Sequence, residues 1–410
     1  MIVPGYNHVY LYICFSEDYR LKITILFFNL GAYHLARLAS AKSSLDDAGI
    51  QLDVIEIAGN TNEHPWGGQA RPAYVRTLSK FARGDLPTVD DPSLLTRALK
   101  AADPDLIAIP GWGYDFSRIA IKWGKRNGKR LILMSESKYD DSPRNFIKEL
   151  VKKHVWVNKF DAGLVGGQKH FDYLAKLGMQ KSRIFTGYDV VDNQYFTSEV
   201  ERLHAEWSEF QSRPKTFPAN KFFLAANRFI PRKNLIRLIN SFSDAVATGQ
   251  MNSDWDLVLL GSGTDEQTSL MKATIAENQL ETRIHCPGFI TTDQITKWYA
   301  AASAFVHPAL SEQWGLVVNE AMAAGLPILL SNTCGCHPEL LDEGINGFSF
   351  NPHSRTEMTD KMIQMANADL ESLGQASKEK IRRDFSTTSF GIGLLQGIKA
   401  ITENRSEKPQ

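Results

Sequence analysis

From Leu21 onward the chain alternates two kinds of segment. Short apolar runs at Lys22–Leu30, Leu52–Ala58, Asp105–Trp112, Arg130–Ser135, Ala162–Gly166 and Arg183–Thr186 are each bounded by Gly, Pro, Asn or Asp. Such runs suit strands buried on both faces. Between them, Ala32–Ala48, Ser93–Ala102 and Ser117–Asn127 carry helical spacing. Strand–helix–strand repetition of this kind predicts a parallel sheet covered on both sides. Residues 197–220 break the rhythm. They are polar, contain Pro214 and Pro218, and read as an amphipathic helix followed by a linker. The alternation then restarts. Strands are predicted at Phe222–Ala226, Asp256–Leu260, Arg283–Cys286, Ala304–His307, Ile328–Ser331 and Gly347–Phe350. Helices fit between them at Asn234–Thr248, Glu266–Asn278, Asp293–Ala301, Leu316–Ala324 and Pro338–Asp342. Two doubly wound, Rossmann-like α/β domains are expected. Ligands of such sheets bind beyond the carboxyl ends of the strands, so chemistry is sought in the strand-to-helix loops.

Composition narrows the picture. The chain has 410 residues, with 46 Lys+Arg and 46 Asp+Glu, a formal net charge of zero. A dedicated nucleic-acid binder needs a basic excess, so that class is set aside. The zero hides an asymmetry: 26 basic against 21 acidic residues over 1–196, and 20 against 25 over 197–410. Residues 118–160 alone hold twelve Lys/Arg and four Asp/Glu. Phe146–Phe160 interleaves apolar side chains with Lys, as a membrane-surface helix does. The blander alternative is a half-buried helix with a solvated basic face, which is the commoner arrangement. Four cysteines make no disulfide framework. Cys334-Gly335-Cys336-His337 is too tightly spaced for tetrahedral zinc ligation, and no metal is expected. No run of apolar residues is long enough to span a bilayer, and residues 1–20 lack the marks of a signal peptide. They read as an extension, and a cytoplasmic location is expected.

The strongest chemical segment is Ala304–Pro327. A strand ends near Pro308, a loop carries Glu312, and Gly315 opens a helix containing Glu320. Its start offers free N–H groups and a positive dipole end, an anion site flanked by two carboxylates. A nucleotide sugar accounts for both features, since it carries hydroxyls on either side of its phosphates. In Phe223–Leu235, Arg228, Arg232 and Lys233 cluster before a helix start, where cations are unfavourable unless an anion joins them. A diphosphate fits that cluster. Gly261-Ser262-Gly263 follows a strand and reads more readily as a plain turn than as a ligand loop. Residues His64–Arg71, including Trp66, concentrate Gly, aromatic and basic groups. They read either as an acceptor-side loop or as an ordered structural one.

The stretch 215–355 resembles the nucleotide-sugar domain of the retaining glycosyltransferases of family 4, the group 1 glycosyltransferases, which have the two-domain GT-B fold. The resemblance rests on six pieces in order. They are Asn227-Arg228 to Lys233-Asn234, Leu257–Gly263, Cys286–Phe289, Glu312 with Gly315 and Glu320–Pro327, Gly335 with Pro338-Glu339, and Glu343–Phe348. Lys176-Leu177-Gly178 and Gly187–Asp192 resemble the end of that family's acceptor domain. The resemblance implies an acceptor-binding domain over 1–200, a linker over 201–220 and a donor domain over 221–380, facing across a cleft. Residues 381–410 are then expected to form a helix packing back on the first domain, with a disordered tail.

The resemblance also implies roles. Glu320 would bind the ribose and Glu312 the transferred sugar. Arg228 and Lys233 would hold the diphosphate. The N–H groups of Leu316 and Val317 would touch the distal phosphate, with Gly261 and Gly263 also on the donor side. Phe289 and Ile290 would read the base, and Gly31 would approach from the first domain. Relatives place a His at the end of the fourth strand of the first domain. Here Ser135-Glu136-Ser137 stands there, and Glu136 is either a substitute or a plain loop carboxylate. The activity implied is retaining, metal-independent transfer of a hexose-type sugar, most simply from a UDP-sugar. The acceptor is a carbohydrate, lipid-linked or small-molecule hydroxyl. A nucleotide-sugar epimerase and a non-catalytic nucleotide-sugar-binding protein are the alternatives. Contact of 118–160 with anionic membrane is the further partner weighed.

Overall fold

The computed structural model describes residues 20–60, 70–81, 91–141, 144–209, 214–251 and 255–403. Two parallel sheets form in separate halves of the chain. The first contains β1 (Lys22–Phe27), β2 (Gln51–Asn60), β3 (Val75–Phe81), β4 (Leu106–Pro110), β5 (Arg130–Ser135), β6 (Ala162–Val165) and β7 (Ile184–Thr186), in the order β3-β2-β1-β4-β5-β6-β7. The second contains β8 (Lys221–Ala226), β9 (Trp255–Leu260), β10 (Ile284–Gly288), β11 (Ala304–His307), β12 (Ile328–Ser331) and β13 (Gly347–Phe350), in the order β10-β9-β8-β11-β12-β13. Both orders reverse direction beside the first strand of their sheet, the topological switch point of a doubly wound fold.

The helices of the first half are α1 (Ala32–Asp47), α2 (Pro92–Ala102), α3 (Asp115–Arg126), α4 (Phe146–Val151) and α5 (Gln168–Lys176). Then come α6 (Asn193–Glu209), α7 (Leu235–Ala247), α8 (Asp265–Glu277), α9 (Thr292–Ala301), α10 (Leu316–Ala323) and α11 (His337–Leu340). The chain ends in α12 (Arg355–Ala366), α13 (Leu370–Asp384) and α14 (Thr387–Glu403). Each sheet is buried between helical layers. In β1, Ile23 and Leu26 belong to separate apolar clusters, one on each face, as do Phe222 and Phe223 in β8. That two-sided burial is why the strands read as continuous apolar runs.

The apolar runs miss one strand. β3 pairs with β2 through Val54–Val75 and Glu56–Thr77 and forms the sheet edge. Its sequence VRTLSKF has no continuous apolar run, because an edge strand is not enclosed on both sides.

Two helices cross between the halves. α6 sends Phe196, Val200 and Leu203 into the core of the second domain, and Thr197 Oγ1 donates to the Ala323 carbonyl at 2.7 Å. α14 returns to the first domain, where Phe390, Leu394 and Ile398 pack against α1, β6 and β7. Among the described residues no helix is long and apolar enough to cross a membrane.

Candidate functional site

The carboxyl ends of the two sheets face each other, and polar contacts join them. The loop after β6 leads into α5, whose first turn reaches the second domain. The Gln168 N–H donates to Glu339, Lys169 Nζ donates to the carbonyls of Asn332 (2.8 Å) and Cys334 (2.9 Å), and His170 Nε2 meets the Gln313 carbonyl at 2.9 Å. Burial pushes the His170 pKa down to about 4, so the ring is neutral at physiological pH. Its Nδ1 accepts from the Gly167 N–H at 3.1 Å, which leaves the proton on Nε2 to donate to Gln313.

A cluster of charged and polar side chains is built around β11 and α10. Gly315 has φ +105°, a left-handed conformation open to glycine, and turns the chain from the Glu312 loop into α10. This sets the free N–H groups of Leu316 and Val317 at the helix start, beside Glu312. Lys233, from the turn Pro231–Lys233, donates to the Glu312 carboxylate. His307 Nε2, at the end of β11, lies 3.4 Å from the same oxygen. Burial works to raise the Glu312 pKa, but the His307 contact and the Lys233 charge outweigh it and hold the carboxyl well below the usual range. Asn234 fixes this arrangement. It sits in the left-handed region at φ 62°, and its Nδ2 donates to the carbonyls of Pro308 (3.1 Å) and Pro352 (2.9 Å). Leu310 N–H donates to the Arg232 carbonyl at 2.8 Å and ties the two loops together.

Glu320 lies on the inward side of α10 and is buried. Its two oxygens accept from Tyr299 of α9 at 2.8 Å and from Tyr33 of α1, across the domain boundary, at 2.5 Å. Burial raises its pKa to about 7, against the pull of the two tyrosine hydrogen bonds. Trp314 Nε1 donates to Asn319 Oδ1 at 2.9 Å, and Asn319 Nδ2 reaches the Asp189 carbonyl at 3.4 Å, a second tie to the first domain.

Glu136 stands at the end of β5, where its carboxyl meets that of buried Asp189. Burial raises both pKa values, against the charge of Arg37. Arg37 Nη2 is 3.9 Å from Asp189, while its Nε is committed to the Val190 carbonyl at 2.8 Å. Two carboxyls beside one buried cation disfavour each other's ionised form. Gly31 caps α1 and is buried one turn before Leu35. Arg228 is exposed just after β8. Gly261 and Gly263 pack on the backbone of Asn227 and Phe229, where an added Cβ would lie 1.8 and 2.3 Å from carbonyl oxygens. They bring the loops after β8 and β9 together. Phe289 is exposed at 64%, and Ile290 is half-buried beside it. Arg71 is spent within the first domain: its guanidinium grips buried Glu56 through Nε (2.9 Å) and Nη2 (2.8 Å) and also donates to the Leu30 carbonyl. His64 and Trp66 lie outside the described residues.

Cys334 and Cys336 are buried thiols in the core of the second domain. Among the described residues no group of His, Cys, Asp and Glu is arranged to hold a metal ion. The apolar pattern does not reveal Tyr33, Tyr299, His307, Arg37 or Asp189. His307 carried a signal, since it directly precedes Pro308 at a strand end. Tyr33 carried one only through Gly31, two residues earlier.

Two Rossmann-like domains that meet at the carboxyl ends of parallel sheets, with α6 and α14 crossing between them, define the GT-B class. The fold matches solved members of it. A glycosyltransferase from Rickettsia africae superposes with TM-score 0.69 at 13% identity, covering 94% of this chain and 99% of that one. Anabaena HepE in complex with UDP and glucose gives TM-score 0.65 at 17% identity, covering 93% and 100%. Residues 208–383 match the family model of the group 1 glycosyl transferases. Among curated relatives, the poly(ribitol-phosphate) α-N-acetylglucosaminyltransferase of Staphylococcus aureus is 22% identical over 61% of this chain and 52% of its own length. The chain spans about half or less of the length of the first curated relatives it matches.

Proposed function

We propose that the protein is a cytoplasmic, retaining, metal-independent glycosyltransferase. It moves a hexose-type sugar from a UDP-sugar to a hydroxyl acceptor in polysaccharide or glycolipid synthesis. One observation carries the reading: a Lys233–Glu312 pair at the open N-terminus of α10, with Glu320 on the same helix and turned inward. In this reading Glu320 accepts the ribose hydroxyls, Glu312 clamps the transferred sugar, and Phe289 and Ile290 border the base. HepE, a fold relative whose structure holds UDP, supports the choice of uridine.

The chemistry follows from charge. The sugar C1–phosphate oxygen bond breaks as the acceptor oxygen bonds C1 on the same face. The acceptor proton passes to the departing phosphate oxygen. Lys233, Arg228 and the α10 N–H groups stabilise the negative charge that gathers on the diphosphate, so the step needs no divalent cation. Glu312, ionised and paired, steadies the cationic sugar and forms no covalent bond to it.

A donor-hydrolysis screen over UDP-, GDP- and ADP-sugars tests the base and the sugar together. Hydrolysis is expected with a UDP-hexose, undiminished by EDTA and with the anomeric configuration kept. An inverted product, or activity lost to chelation, rejects the mechanism. A change of donor stereochemistry without acceptor would instead identify an epimerase. Nucleotide binding without turnover would identify a sensor.

A further inference from the structure

The segment after β5 is built inside out. In α4 and the helical turns Lys152–Trp156 that continue it, Phe146, Ile147, Leu150, Val151 and Val155 stand 80%, 69%, 46%, 46% and 41% exposed. The side turned to the protein is the charged one. Glu149 accepts from Lys152 Nζ and from the Tyr173 hydroxyl, both at 2.8 Å. Arg144 stacks over the Tyr173 ring at 4.5 Å and donates to its hydroxyl. A surface helix of a soluble domain ordinarily shows the reverse, apolar residues inward and charges outward. Thus the half-buried arrangement with a solvated basic face, the commoner expectation for this stretch, is not what forms. The inward charges anchor the helix, and the apolar side chains are left for something else to cover.

We infer that this face docks on the surface of an anionic lipid bilayer. Its borders supply the charge. Lys148 and Lys153 are exposed among the apolar residues, with no ion pair among the described residues. The neighbouring α3 is joined to the segment through Arg118, which lies over the Trp156 ring at 5.9 Å, and Lys159 lies over the same ring at 5.1 Å. On α3, Lys122 and Arg126 follow Arg118 at successive turns and are exposed. An apolar strip rimmed by lysine and arginine matches an interface of acyl chains beneath anionic headgroups. A second copy of the same basic face would repel it. The inference stands apart from the transferase reading, because it needs neither donor nor turnover.

Flotation of the full chain with vesicles tests it. Binding is expected to phosphatidylcholine vesicles containing about 30% phosphatidylglycerol and not to phosphatidylcholine alone, with loss at about 0.5 M salt. Phe146→Ser with Leu150→Ser should cut the bound fraction about tenfold while circular dichroism and UDP binding stay unchanged. Neither side chain belongs to the apolar clusters of the first domain, so the variant should fold. A second variant, Lys148→Glu with Lys153→Glu, should abolish the preference for anionic vesicles. Three results overturn the inference: no flotation at low salt, flotation indifferent to either variant, or a concentration-dependent dimer that the serine variant dissolves with no vesicle binding. UDP binding by a protein that does not float rejects the docking alone. Flotation by a protein that binds no UDP rejects the donor reading alone.

Discussion

At the residue scale the decisive contact is Tyr33 on Glu320. In the proposed reading Glu320 takes ribose hydroxyls and cannot keep both tyrosines, so donor binding would exchange the Tyr33 hydroxyl for a sugar hydroxyl. Removing the tyrosine oxygen spares that exchange. Tyr33→Phe should therefore tighten UDP binding at pH 8 by about two- to tenfold, the worth of one hydrogen bond. Titration calorimetry reads the sign, and weaker binding would mean that Tyr33 holds the nucleotide instead. The same carboxyl sets a pH dependence. Its folded pKa of about 7 lies above the ordinary 4.5, so between those values the unfolded chain has released a proton that the folded one keeps. Stability is fully present below about pH 4.5 and is lost as pH rises toward 7, by roughly 3 kcal/mol from this group. Glu320→Gln should flatten that part of the denaturation profile. UDP affinity should run the other way, rising with pH until Glu320 is ionised. Lys233→Ala has a separate outcome. It strips Glu312 of its buried partner and the diphosphate of a cation, and should lower turnover at least about tenfold with less effect on UDP binding.

At the element scale the loop between β1 and α1 is held from below. Buried Glu56 in β2 accepts the Leu30 N–H at 2.8 Å, the Thr77 hydroxyl of β3 at 2.7 Å and the paired donors of Arg71. The loop that presents Gly31 thus rests on one carboxylate with one countercharge. Arg71→Met should cost about 3–5 kcal/mol by urea denaturation, because it leaves a buried charge unpaired. Glu56→Gln combined with Arg71→Met should recover part of that loss. A cost below 1 kcal/mol for the single change would show that the pair is incidental. This clamp also marks the limit of what the sequence discloses. Strands such as β1, β4 and β8 were legible because burial on two faces writes itself as an apolar run. The Glu312 loop and the helix that carries Glu320 were legible because their spacing and glycine are local. β3 escaped because an edge strand is half polar. Arg71 could be read as part of an acceptor-side loop or of a structural one, because its partner lies fifteen positions back, in a neighbouring strand. Tyr33 is 287 positions from Glu320, and only the meeting of two domains joins them.

At the scale of the whole molecule, the first domain is completed by the end of the chain. α14 lays Phe390, Leu394, Ile398 and Ile401 into the cluster that contains Leu38, Leu45, Ile132 and Leu164. It packs close enough that a Cβ on Gly393 would lie 2.2 Å from the Thr186 carbonyl oxygen, a backbone atom that cannot step aside. Four large apolar side chains buried at about 1.5–3 kcal/mol each match the whole stability of an ordinary domain. The second domain owes nothing to α14: its own apolar clusters draw on β8 to β13, α6 and α13. The two domains should therefore melt as separate units with unequal dependence on the C-terminal helix. Gly393→Ala should lower one calorimetric transition, by about 1–3 kcal/mol, and leave the other in place. Removal of 387–410 should abolish the first transition altogether while a protease-resistant core near 193–384, which keeps α6, persists. If both transitions shifted together, the cross-domain contacts of Tyr33, Gln168, Lys169 and His170 would be strong enough to fuse the halves into one cooperative unit. Substrate could then enter only by partial unfolding, not by separation of the domains.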